Sequence, residues 1–134
     1  MQARLDGRNA IITGGSAGIG KAIAKNFLTS GANVAIVARR GDVLDAAKGE
    51  IEAEGAKTGS TGKVIALSAD IRRDDECTAV VEKIAAEFGK IDVLVNNAGT
   101  SQRGAFLDVS DAIWQDDLDL KLFSAIRLSR LVIP

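Results

Sequence analysis

The sequence predicts an α/β fold built on a doubly wound parallel sheet. Three observations carry that expectation. Short apolar runs rich in β-branched residues, AIIT (10–13) and VAIVA (34–38), lack the polar alternation of a half-exposed strand and read as strands covered on both faces. Segments with apolar residues at helical spacing alternate with these runs. Glycine stands at the joints, and the 134 residues hold 14 glycines against one proline.

Each element follows in order. NAIITGG is a first buried strand ending in glycines. After it Ile19, Ile23 and Phe27, with Ala22 beside them, mark a helix that Gly31 ends. NVAIVAR (33–39) is a second strand. A second helix runs from Asp42 to about Gly55, with Leu44, Ala47 and Ile51 on one side and Asp42 as its N-cap. GAKTGSTG (55–62) reads as a loop within the domain. KVIALSAD (63–70) is a third strand. Cys77, Val80, Val81, Ile84 and Phe88 define a third helix, stopped by Gly89. IDVLVNNAG (91–99) is a fourth strand and turn, and a last helix runs from about Trp114 towards Pro134. Right-handed crossovers leave the dinucleotide-binding strand order 3-2-1-4 as the natural one. Residues 1–134 are therefore expected to form part of one Rossmann-type domain, its sheet incomplete.

Composition narrows the function classes. Net charge is −1 and the pI about 5.4, so no basic excess points to nucleic acid or to an electrostatic membrane anchor. One cysteine and no histidine leave no metal site. The N-terminal MQARLDGRNA has no apolar core of a signal peptide, and no run reaches the ~18 apolar residues of a membrane helix. A cytoplasmic location is expected.

The stretch TGGSAGIG (13–20) carries the chemistry. Gly14, Gly18 and Gly20 stand between a strand and a helix, where glycine permits a sharp turn and close backbone approach to a phosphate. The N–H groups and dipole of the helix start favour negative charge. No Gly-Lys-Ser/Thr triplet occurs, so the loop is not a Walker A motif. By itself such a loop can also be a turn that needs positive φ.

TGGSAGIG, the NNAG at 96–99 and the Ala69-Asp70-Ile71 at the end of the third strand together resemble the short-chain dehydrogenase/reductase family. The resemblance covers the whole chain but only about the first half of a family domain. It implies that Gly14, Ser16, Ala17, Gly18, Ile19 and Gly20 surround a pyrophosphate and adenine ribose. Asp70 and Ile71 would sit against the adenine, and Asn97, Ala98 and Gly99 would line the ribose side. Asn96 would stabilise the central sheet. Asp70 can alternatively be a strand-end residue or cap, and the asparagine pair can tie turns together.

The second strand ends in Ala38, Arg39 and Arg40, where an NAD-binding domain places an acid. Arginine grips a phosphate bidentately. The expected cofactor is NADP, with Arg39 as main contact, Arg40 beside it and NAD as the alternative; a solvated surface pair is the other reading.

The reaction implied is hydride transfer between NADP(H) and a small carbonyl or alcohol substrate. The family's active Ser and Tyr-x-x-x-Lys follow a fifth strand. The 134 residues contain no tyrosine, and Ser101 is not that serine. Lys121, seven residues after Trp114, stands where the family has an active asparagine. It is either a catalytic cation or a solvated helix residue. The expectation is a longer native protein, with these residues inactive alone; a non-catalytic dinucleotide-binding or interaction module is the alternative. The last helix is apolar almost all round, from Leu118 through Ile126 to Ile133, and the family pairs subunits through it, so a homo-oligomer is expected.

Overall fold

The computed structural model describes residues 4–98 and 104–133. Its strands are β1 (Asn9–Thr13), β2 (Asn33–Ala38), β3 (Val64–Ser68) and β4 (Val93–Val95). They are all parallel and lie in the expected order, β3-β2-β1-β4. The helices are α1 (Gly18–Thr29), α2 (Gly41–Thr58), α3 (Asp74–Phe88), α4 (Asp111–Leu118) and α5 (Ser124–Val132). A 3₁₀ turn, Phe106–Asp108, precedes α4, and a π-helical turn, Asp119–Phe123, joins α4 to α5.

Alternation along the central strands sends side chains to two cores. Ile11, Ala35 and Val37 pack with Cys77, Val80 and Ile84 of α3 and Leu128 of α5. Ile12, Val34 and Ile36 pack with Ala24 and Leu28 of α1 and with Leu44 and Ile51 of α2. Helices on both faces explain why β1 and β2 are apolar without alternation. Each fully buried Ile or Leu contributes roughly 1.5–3 kcal/mol relative to exposure.

One polar residue at the bottom of the sheet is fully used. The Asn9 side chain donates to Lys90 O at 2.8 Å and to Phe88 O at 3.3 Å, and accepts from Asn33 Nδ2 at 2.8 Å. It joins β1, β2 and the α3–β4 turn, so its burial leaves no orphaned amide.

Three boundaries differ from expectation. The second helix passes through Gly55 and ends at Thr58, with left-handed Gly59 as its C-cap. Gly55 does not break it because it is the contact point of α2 with α1: a Cβ there would lie 2.6 Å from Leu28 Cδ2. Asp42 is not the N-cap but the second residue of α2, where its carboxylate accepts from Arg40 Nη2 at 3.0 Å. The last helix starts earlier, at Asp111, because Ser110 Oγ accepts the Ile113 N–H at 3.4 Å. It is also interrupted: the Ser124 hydroxyl bonds Leu120 O within the π turn. Among the described residues no helix is long and apolar enough to cross a membrane.

Candidate cofactor site

The carboxyl ends of the strands surround one cleft of about 340 Å³. Such a crevice is where an open parallel α/β sheet binds ligands. Its glycine wall follows β1. Gly14 has φ +68°, and a Cβ on it would sit 3.0 Å from Ala98 Cα. Gly20 is tighter: a Cβ there would overlap Gly14 O and lie 2.5 Å from Asn97 Nδ2. The loop is thus pressed against the β4 end, which only glycine permits.

The start of α1 is open to an anion. Its N-cap, Ala17, has no side chain to bond the first N–H groups, and its first turn holds no acid. The other α-helices with an exposed start carry one: Asp42 in α2, Asp74, Asp75 and Glu76 in α3, and Asp111 in α4. Uncapped N–H groups and an unopposed dipole suit a phosphate at α1. The cradle that a Cβ would fill and the free helix start together fit a dinucleotide's pyrophosphate.

Gly14, Ser16, Arg39, Arg40, Asp70, Ile71 and Ala98, from four separate stretches of the sequence, line the same cleft. Ala17, Gly18 and Ile19 are exposed at the helix start beside it, Ile19 to 73%. Gly20 is buried beneath. The expectation for Gly99 lies outside the described residues. Leu120, Val37 and Val43 also line the cleft, and sequence reasoning missed them. Leu120 is brought in by the π turn, for which the sequence carries no recognisable signal.

Arg39 is exposed, and no ion pair of its guanidinium is found among the described residues. Its backbone carbonyl accepts from Ser68 Oγ at 2.7 Å, which fixes the chain and leaves the side chain free. Arg40 is engaged with Asp42, Nη2 to Oδ2 at 3.0 Å. Arg39 is therefore the guanidinium available at the β2 end.

Asp70 is held by Arg72: Nε donates to Oδ1 at 2.9 Å and Nη2 to Oδ2 at 2.8 Å. The guanidinium hydrogen bond keeps the Asp70 carboxyl below its usual range, and that same bond raises Arg72. Ile71 is almost fully buried, its carbonyl accepting from the Cys77 thiol. Burial pushes that thiol up and makes it a core group.

The two asparagines stand differently in the structure. Asn97 Nδ2 donates to Gly14 O at 3.3 Å, so Asn97 ties the two loops, while its neighbour Ala98 and not Asn97 itself lines the cleft. Asn96 is exposed, with no side-chain hydrogen bond found among the described residues. It follows β4, an edge of the described sheet whose one described neighbour is β1. Lys121 lies in the π turn, its Nζ 3.0 Å from Asp117 Oδ1 in an ion pair that falls short of hydrogen-bond alignment, and does not line the cleft. No cluster of three or more metal-binding side chains is found among the described residues.

The family described as short chain dehydrogenase matches this chain over residues 8–134. The chain belongs to the short-chain dehydrogenase family. Over 136 residues it is 39% identical to a short chain dehydrogenase of Pseudocercospora fijiensis, covering 100% of this chain and 42% of that protein. Over 131 residues it is 39% identical to the 7alpha-hydroxysteroid dehydrogenase of Escherichia coli, covering 98% of this chain and 49% of that one. Its fold matches L-sorbose reductase from Gluconobacter frateurii, solved with NADPH and L-sorbose, with a TM-score of 0.91 at 36% identity. That match covers 100% of this chain and 49% of the reductase. The chain thus spans about half the length of these short-chain dehydrogenases.

Proposed function

We propose that the chain is the cofactor-binding part of an oxidoreductase that moves hydride between NADP(H) and a carbonyl or alcohol substrate. The observation that carries the cofactor choice is Arg39, an unengaged guanidinium at the cleft's β2 end, beside Ala38 where an acid would repel a 2′-phosphate. The NADPH of L-sorbose reductase, a 36% identical structure, supports the same reading.

In this account the loop Gly14–Gly20 and the α1 start hold the pyrophosphate. Asp70, Ile71 and Ala98 bound the adenine, and Arg39 pairs the 2′-phosphate. When bound, the cofactor supplies the hydride. The 134 residues contain no tyrosine. On the resemblance described above, proton transfer falls to residues outside them, and these residues alone bind cofactor without turnover. The pairing of Lys121 with Asp117 supports a helix-face role for that lysine. Exposed Leu118, Leu122 and Ile126 support self-association through α4–α5. Relatives named for a steroid and for a sugar leave the substrate open.

The test is equilibrium titration with NADPH and with NADH, followed by nicotinamide fluorescence. Saturable binding of NADPH, tighter than NADH, is expected. Absence of saturation with both would overturn the cofactor-site reading.

A further inference from the structure

We infer that Asp42 sets how strongly NADP is selected: its carboxylate withholds the Arg40 guanidinium from the 2′-phosphate, so that one arginine of the two serves that group. The inference rests on the reading of the cleft as an NADP site.

Arg39 and Arg40 both line the cleft, yet they differ in what they hold. Arg40 Nη2 donates to Asp42 Oδ2 at 3.0 Å. Arg39 has no such partner among the described residues. Asp42 is the second residue of α2 and Arg40 is that helix's N-cap. The Arg40 carbonyl accepts the Leu44 N–H at 3.0 Å, so the backbone that carries the pair belongs to the first helical turn. The Arg40 guanidinium holds the Asp42 carboxyl below its usual range, and a hydrogen bond from the Val43 backbone adds to it. The carboxylate is therefore charged at neutral pH and tied to the helix start as well as to Arg40.

A phosphate group offers three acceptor oxygens and has room for two guanidinium groups. Arg39 reaches it without leaving another anion. Arg40 must first break its bond to Asp42, and the carboxylate it leaves then stands unpaired near a group of like charge. Arg40 thus exchanges one anion for another, and little binding results. The two side chains of the pair are 74% and 71% exposed, so the effect is modest: an exposed ion pair shifts an equilibrium by about fivefold or less. NADH carries a hydroxyl where NADP carries the phosphate, so its binding does not draw on Arg40 in this way.

A double-mutant cycle separates the release of Arg40 from the simple loss of a negative charge. The readout is the pair of dissociation constants for NADPH and NADH in the wild-type chain, Asp42→Asn, Arg40→Ala and the double variant, all at one ionic strength. Asp42→Asn should tighten NADPH by about two- to fivefold and leave NADH unchanged. In the Arg40→Ala background the same substitution should give a smaller gain, because no guanidinium is left to release. A gain as large or larger without Arg40 would show that the carboxylate acts by repulsion alone, and overturns the inference. No gain in Asp42→Asn, or an equal gain for NADH, overturns it as well. Thermal melts establish that each variant is folded, and Asp42→Ser, which keeps an oxygen at the helix start, is the second variant at that position. Loss of folding in both Asp42 variants would make the residue structural and overturn the inference too. Failure of the wild-type chain and of Asp42→Asn alike to bind either cofactor overturns instead the functional reading on which the inference stands.

Discussion

The Thr13 hydroxyl accepts the backbone N–H of Asn97 at 3.0 Å. It also accepts the Ala98 N–H at 3.0 Å and donates to Val95 O at 3.3 Å. One side chain, 1% exposed, thus ties the end of β1 to the end of β4. The glycine loop and the Asn97–Ala98 turn meet at the cleft because of this tie.

Thr13→Val keeps the shape and removes the acceptor. Two part-buried N–H groups then lose their partner, at a cost of about 2–4 kcal/mol. Urea denaturation should show a lower midpoint with the slope unchanged. Thr13→Ser, which keeps the hydroxyl, should lose about 1 kcal/mol or less.

Glycine substitutions should split by location. Gly20→Ala forces a methyl against Gly14 O and Asn97 Nδ2, so the loop must shift, with a stability loss of about 1–3 kcal/mol. Cofactor affinity should fall with it. Gly49→Ala, in the exposed face of α2 with nothing within 4 Å, should stabilise by about 0.4–1 kcal/mol. Thermal melts of the two variants should move in opposite directions.

Acid should weaken the fold through named carboxylates. The Asn9 N–H, donated to Asp92 Oδ2 at 2.9 Å, holds the Asp92 carboxyl below its usual range, with Lys90 and Arg8 adding to it. Arg72 does the same for Asp70. A carboxyl depressed in the folded state stabilises fully above its unfolded value. That contribution is lost as pH falls from about 4 through the folded value. Denaturation midpoints should therefore be flat above about pH 5 and drop below about pH 4. Asp92→Asn should be less stable at neutral pH and show a shallower drop.

Self-association should follow the exposed side of α4–α5. Leu118, Leu122 and Ile126 are each exposed there. Sedimentation velocity should show species larger than monomer, and Leu122→Glu should shift them towards monomer. A monomer at all concentrations in the wild-type chain would contradict this.

Much of this architecture was readable in the residues. The apolar runs without alternation marked β1 and β2 as strands covered on both faces, and the four strands pair in the expected order. Gly55 misled because a glycine in sequence does not say whether it ends a helix or lets another approach. Asp42 misled because the chain offers a cap-like residue two positions too late, and Arg40 takes its carboxylate. Arg39 and Arg40 are alike in sequence, and only the Asp42 contact shows which one is free. Arg72, which grips Asp70 in the cleft wall, was not read from the sequence, and its contacts with Asp116 and Arg127, 44 and 55 residues away, come only from the fold. The π turn that carries Leu120 at the cleft holds the Ser124 hydroxyl bond to Leu120 O, a contact that local propensity does not announce.

The proposed selection of NADP turns on Arg39. The direct measurement is the pair of dissociation constants for NADPH and NADH in the wild-type chain and in Arg39→Ala. The wild-type chain is expected to prefer NADPH, and the variant to lose about 10–100-fold in NADPH affinity while NADH affinity changes little. Tighter binding of NADH by the wild-type chain, or an unchanged preference in the variant, would contradict it.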